Sequence, residues 1–271
     1  MRCSPYVVFA EDVYSLPPIA VQLRALLDDT STDVADIAML LSIDPMLTSQ
    51  LLGLVNSSLF CLTDYIDNIA RAISVIGGEA IYHLVIAQTA KQAMLAHSND
   101  CIDSKRHWHK SVLTGLLAKR LAKSHVQGLE RFFLLGILYH LGEMVVARHT
   151  PVLYSQYSME QQCVEPWEKQ IVVFGFDFAL CSGAILKAWG LHEPFFAPLM
   201  NVHDLSQTHK PLAEKLLCQA QAIQWCLVDC VQPEQSFNKS SSLVELSLEY
   251  NELKALYALA NHEADDIATL F

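Results

Sequence analysis

Four histidines, a glutamate and a lysine set the chemical question. His140 and Glu143 lie in the apolar stretch GILYHLGEMVV, residues 136–146. On a helix their i, i+3 spacing makes them neighbours on one face. Imidazole nitrogen and ionised carboxylate are both ligands for a divalent metal, so the pair would supply two of them. The same two groups would serve equally as hydrogen-bond partners of each other or of a backbone carbonyl at an inner cleft. His107 and His109 stand in the basic run KRHWHK, 105–110, which Lys110 closes. Two positions apart on a helix, the rings point to different faces and are not expected to share one metal. The run reads either as a contact for a phosphate-bearing ligand or as a solvated helix start. His203 and Asp204 end the segment NVHD.

Other catalytic signatures are missing. Gly77-Gly78 is not part of a G-x-x-x-x-G-K phosphate loop, and no G-x-S-x-G nucleophile elbow occurs. Asn56 and Ser57 in VNSS read as a helix-end turn. The eight cysteines contain no C-x-x-C pair and sit mostly among apolar neighbours, where a reduced thiol packs as a small hydrophobe. That usage points to a cytoplasmic protein.

The elements that must position these groups are helical. PPIAVQLRALLDD, TDVADIAMLLS and DPMLTSQLLGLVNSS each carry an apolar stripe at helical spacing, and Asp44-Pro45 makes a clean cap and first turn. NIARAISVIGG ends on a Gly pair suited to a helix stop. The polar segment 97–106 reads as a boundary. Longer helices are expected over about 106–124, 129–148, 177–189 and 194–203, with another after Pro211. VVFGF, 172–176, is the best strand candidate, unless it only closes a helix. Residues 232–242 read as a loop, and a last amphipathic helix runs from near Leu243 to about Asn261, with Leu246, Tyr250, Leu253, Leu256 and Tyr257 on its stripe.

Bulk composition narrows the classes. With 52% hydrophobic and 17% charged residues the chain has a folded composition. A formal charge of −11 disfavours generic nucleic-acid binding. The opening MRCSPYVVFAEDVY lacks the basic and long apolar regions of a signal peptide. The most apolar run, 132–147, is interrupted by His140 and Glu143 and is shorter than the roughly 20 residues of a membrane span. It reads as a core helix, and no membrane association is expected.

Six stretches in order carry a family resemblance: SLPPIAVQLRALLDD, DVADIAMLLSIDPMLTSQLLGLVNSSLF, IDNIARAISVIGGEAIYHLVIAQ, HWHKSVLTGLLAKRLA, FFLLGILYHLGEMVV and GFDFALCSGAILKAWGLHEP. Over roughly residues 12–230 the chain resembles the HDOD domain, a bacterial signalling domain related to the HD-type metal-dependent phosphohydrolases. The resemblance implies an all-α fold, with an N-terminal bundle of short helices packed on an HD-like helical bundle. It divides the chain into a tail (1–15), an N-terminal helical subdomain (16–98), an HD-like subdomain (99–230) and a loop with a C-terminal amphipathic helix (231–271).

The enzymes of that superfamily hold one or two metals through His and Asp. In this sequence Lys110 stands where the first metal histidine is expected. Tyr139 and His140 stand in place of the His–Asp pair, and Phe178 occupies a further position that often holds His. The resemblance therefore implies a degenerate metal site and a non-catalytic regulatory module with no cofactor. Its cleft would be lined by Lys110, Tyr139, His140, Glu143, Phe178 and His203. The alternative is a phosphohydrolase with displaced metal ligands drawn from His107, His109, His140 and His203. The partners implied are signalling proteins such as kinases or cyclases, or a second copy of the chain.

Overall fold

Short polar side chains start several of the helices. Asp33 accepts the backbone N–H groups of Ala35 and Asp36, while the Asp36 carboxylate accepts from the N–H of Asp33, a reciprocal box. Asp44 accepts from Leu47 ahead of Pro45, Asn68 from Arg71, Asp103 from Lys105 and Arg106, and Asp177 from Leu180. Each such cap satisfies donors that the first helical turn leaves open and stabilises by about 1 kcal/mol.

The computed structural model describes residues 2–14, 16–96, 101–126, 128–159, 164–204 and 209–270. Among them there is no strand. The first six helices are α1 (Ser4–Val13), α2 (Pro18–Asp28), α3 (Val34–Ser42), α4 (Pro45–Val55), α5 (Ile69–Ile76) and α6 (Gly78–Ala96). Then come α7 (Ser104–Ala122), α8 (Glu130–Tyr139), α9 (Leu141–His149), α10 (Pro151–Met159), α11 (Pro166–Phe174), α12 (Phe178–Ala188), α13 (Glu193–Asn201) and α14 (Leu212–Gln224). A π-helical turn, Trp225–Asp229, extends α14. The chain ends in α15 (Pro233–Lys239), α16 (Ser241–Val244) and α17 (Tyr250–Leu270).

Helices α2 to α5 pack on one another and on α6, which also lies against α8. Helix α7 is central to the second bundle and touches α8, α14 and α17. Expectation and structure part at several places. Residues 1–15, read as a tail, contain α1, which packs on α9 and α12 and buries Cys3 and Ala10 completely. The expected helix over 129–148 is two helices, broken at His140, whose backbone sits at φ −89°, ψ 0°. VVFGF is no strand: it closes α11, with Gly175 left-handed at φ +82°. The expected loop 232–242 holds α15 and the first half of α16. The last helix starts at Tyr250, after a turn in which Ser247 has φ +54°, and packs on α7 and α4 through buried Leu253, Ala260, Ala264 and Ile267. The boundary segment 97–106 falls partly outside the described residues, and α7 begins inside it. Among the described residues no single helix is long and apolar enough to cross a membrane.

Helix α7 crosses α8 with backbone close to backbone. A Cβ added at Gly136 would stand 2.4 Å from the Cα of Gly115 and 2.5 Å from its N, and one at Gly115 would stand 2.5 Å from the carbonyl oxygen of Phe133. These neighbours are backbone, so no side-chain rotation relieves the overlap. Gly136→Ala gains roughly 1 kcal/mol of helix propensity. The clash outweighs that gain, and a net loss of about 1–3 kcal/mol is expected. Urea unfolding checks this: the midpoint should fall with the slope unchanged. A midpoint at or above that of the wild type would refute so close a crossing.

Candidate functional site

The break at His140 sets the site. Ending α8 there and restarting as α9 leaves Tyr139 and His140 at the seam, facing α7 and α14. Gly142, in the first turn of α9, lies against α12, and its N–H donates to Ser182 Oγ at 2.7 Å. Between α7, α9, α11, α12 and α14 is a cleft of about 400 Å³ lined by Arg106, Lys110, Tyr139, His140, Glu143, Tyr157, Lys169, Gln170, Phe178, Gln221, Trp225 and Asp229. A second hollow of about 360 Å³ shares Arg106, Lys110 and Glu143 with it and reaches His107, His109 and Tyr154.

The structure gathers four of the expected groups, His107, Lys110, His140 and Glu143. One ligand atom each of His107, His140 and Glu143 lies within 4.8 Å of the others. Glu143 Oε2 is 3.6 Å from His140 Nδ1, 3.8 Å from His107 Nδ1 and 3.9 Å from Lys110 Nζ. Burial pushes the Glu143 carboxyl up, but the Lys110 ammonium beside it holds it well below the usual carboxylate range. Burial pushes His140 down to about 3 and lowers His107, with Glu143 pulling against burial in both cases. Both imidazoles are therefore neutral near pH 7, and Glu143 is charged.

Hydrogen bonding fixes which nitrogen of each ring carries the proton. His107 Nε2 lies 3.1 Å from the His140 carbonyl oxygen, an acceptor, so Nε2 donates and Nδ1 keeps its lone pair. Gln224 Nε2 donates to the Lys110 carbonyl at 3.1 Å, which leaves Gln224 Oε1 to accept from the Thr114 hydroxyl at 3.0 Å. With its proton so engaged, Thr114 Oγ1 accepts from His140 Nε2 at 2.9 Å. His140 Nδ1 then also carries a lone pair, turned toward Glu143. Tyr154, whose hydroxyl is kept protonated by burial and by Glu143, donates to Glu143 Oε1 at 2.8 Å. That leaves Oε2 to face the two imidazoles.

Two candidates fall elsewhere. His109 points away from His107, and its Nε2 lies 2.9 Å from Asp265 on α17. His203 is buried and neutral, stacked on Trp167 with ring centroids 4.3 Å apart. The Tyr139 hydroxyl, held protonated by burial, donates to His203 Nε2 at 2.8 Å, so that lone pair is already taken. Lys110 does lie in the cleft. Phe178 forms its wall, its ring 5.2 Å from Phe174 and 5.5 Å from Tyr157. Sequence reasoning missed Thr114, Tyr154 and Gln224. The only available signal was the run QAQAIQW, in which Gln219, Gln221 and Gln224 interrupt an apolar helix and all become buried.

The HDOD domain family model matches residues 13–205 of this chain. A curated relative, an uncharacterized protein of Treponema pallidum (strain Nichols), is 23% identical over 209 residues, covering 74% of this chain and 40% of the relative. The chain thus spans about 40% of the length of the curated relative it matches. Among solved structures, a "Putative phosphohydrolase" from Shewanella amazonensis SB2B has a TM-score of 0.73 at 18% identity, covering 98% of this chain and 97% of that one. An HDOD domain protein with unknown function from Geobacter sulfurreducens has 0.72 at 16%, covering 98% of each chain. A "Putative signal transduction protein" from Marinobacter aquaeolei VT8 has 0.66 at 16%, covering 96% of this chain and 60% of that one. At these identities the structures show a shared fold and nothing about activity.

The buried, neutral His140 ties stability to pH. The folded chain leaves it unprotonated down to about pH 3, while an unfolded chain protonates it near 6.5. Stability from this source is complete above about pH 6.5 and is lost as pH falls toward 3, by up to roughly 1.4 kcal/mol per unit. His107 and His203 act in the same sense, so the wild type is compared with His140→Gln. The stability difference between the two, from urea melts at pH 7 and pH 4.5, should shift in favour of the variant at the lower pH. A difference independent of pH would show that His140 does not stay neutral in the fold.

Proposed function

This chain belongs to the HDOD domain family, and on that premise we propose that it is a non-catalytic signal-transduction and regulatory module whose cleft binds without hydrolysing. The observation that carries this reading is Lys110. Its ammonium stands 3.9 Å from Glu143, at the position where a catalytic relative would hold its first metal histidine. A cation there opposes a pair of hydrolytic dications, which need bridging carboxylates and several histidines. Among the described residues the only group of three or more His, Cys, Asp or Glu side chains that could hold a metal is His107, His140 and Glu143. A set of three suits at most one ion. Tyr139 spends its hydroxyl on His203, and Phe178 brings only a hydrocarbon ring.

The cleft is suited to a small anionic ligand. Arg106, Lys110 and Lys169 line it, with the rings of Tyr157 and Trp225. The output of the module would pass through contacts with signalling proteins such as kinases or cyclases, or through a homodimer. A second reading, hydrolysis by displaced ligands, draws on the clustering of His107, His140 and Glu143. The two readings separate in one assay. Purified chain supplied with Mn²⁺, Mg²⁺ or Fe²⁺ should show no saturable turnover of bis-p-nitrophenyl phosphate or of mono- and cyclic nucleotides. Saturable turnover that disappears in His140→Ala would overturn the proposal in favour of the second reading. A thermal-shift screen with the same nucleotides should give a concentration-dependent rise in Tm for at least one of them.

A further inference from the structure

We infer that His107 Nδ1, His140 Nδ1 and Glu143 Oε2 form a mononuclear binding site for a late first-row dication of the zinc class, with a further coordination position open to the cleft. This inference concerns binding alone and stands whether or not the chain turns anything over.

The argument rests on what each donor atom has left to do. His107 gives its Nε2 proton to a carbonyl, and His140 gives its own to Thr114, itself held by Gln224. Tyr154 occupies the other oxygen of Glu143. Every ligand is thus oriented by an outer partner, and in each case the atom left over is a bare electron pair. These three electron pairs face one another, and no proton lies between them. Lone pairs so directed repel, and a cation is the natural occupant. Lys110 Nζ, at 3.9 Å, stands beyond hydrogen-bond reach of Glu143 Oε2.

The spacing fits. Around a tetrahedral Zn²⁺ with bonds near 2.0–2.1 Å, ligand atoms lie about 3.4 Å apart. The two nitrogens stand 3.6 and 3.8 Å from Oε2, so closure needs movements of only a few tenths of an ångström for those pairs. Two imidazoles and a carboxylate are a borderline donor set, which favours zinc, cobalt or nickel over magnesium or calcium. Neither His107 nor Glu143 occupies a position where the family resemblance places a metal ligand, which is why matching those positions one by one does not find the site. Lys110 is the competitor. Its side chain is 28% exposed on a flexible stem, so the ammonium can swing toward solvent when a dication takes its place beside Glu143.

The test uses metal-stripped, tag-free full chain titrated with Zn²⁺ and, separately, Co²⁺. Equilibrium dialysis with elemental analysis gives the stoichiometry, and the visible absorption of Co²⁺ reports its coordination. One ion per chain is expected, with the intense visible bands of a low-coordinate Co²⁺ site. His107→Gln, His140→Gln and Glu143→Gln should each weaken binding by roughly 10–100-fold. His109→Gln, on the Asp265 side, should leave it unchanged. Lys110→Met should tighten binding by roughly tenfold or more, since it removes a like charge. That gain does not depend on the ligand variants folding well. Binding of less than one ion per chain at saturating Zn²⁺ would overturn the inference. So would an affinity that survives all three ligand substitutions, or one that Lys110→Met leaves unchanged or weakens.

Discussion

Backbone contact between Gly115 and Gly136 sets how close α7 and α8 lie, and the interior of the cleft follows from that distance. Thr114 precedes Gly115, and His140 lies one helical turn after Gly136. With the two helices in direct contact at the glycines, the short Thr114 side chain reaches the His140 ring at 2.9 Å. His107, two turns back along α7, reaches the His140 carbonyl at 3.1 Å. Larger residues at the crossing would hold the helices apart by more than a hydrogen bond can bridge. Neither tautomer would then be fixed, and the three electron-rich atoms would lose their shared focus.

The sequence made some of this legible and hid the rest for physical reasons. The helix start at Asp44 was readable because a cap is a local interaction, whereas the start at Asp103 was hidden in a polar stretch that reads as a boundary. The opposed directions of His107 and His109 followed from helical periodicity alone. The break at His140 was not readable. Residues on all sides of the 132–147 run are buried, so no amphipathic rhythm marks where one helix ends and the next begins. The exclusion of His203 depends on Tyr139, 64 positions away, and on a Trp167 ring stacked against it. Thr114, Tyr154 and Gln224 carry no motif, and they matter only through the lone pairs they leave free on other residues. The polar stretch 232–242 read as a loop because short helices made of Ser, Gln and Asn look locally like turns.

The buried polar groups at this seam also explain why a chain of net charge −11 keeps cations at one cleft. Glu143 is ionised in a largely dry setting, a state that costs several kcal/mol without compensation. Lys110, 3.9 Å from one carboxylate oxygen, and the Tyr154 hydroxyl, donating to the other at 2.8 Å, supply that compensation. Around the mouth, Arg106 and Lys169 extend the positive character against the sign of the whole molecule. Local field and overall charge thus differ in sign, and a ligand entering the cleft would meet the local one first.

The π-helical turn at Trp225–Asp229 gives the opposite wall a different kind of control. A π-turn accommodates one residue more than the same stretch of α-helix, and turns of this kind occur often at functional sites. Trp225, Val228 and Asp229 all line the cleft from it. Removing one residue there would restore plain helical winding and shift the register at which Trp225, Val228 and Asp229 meet the cleft. The shape of that wall is therefore written in chain length as much as in side-chain identity. In inheritance, a single inserted or deleted codon would remodel the pocket where a substitution would only repaint it.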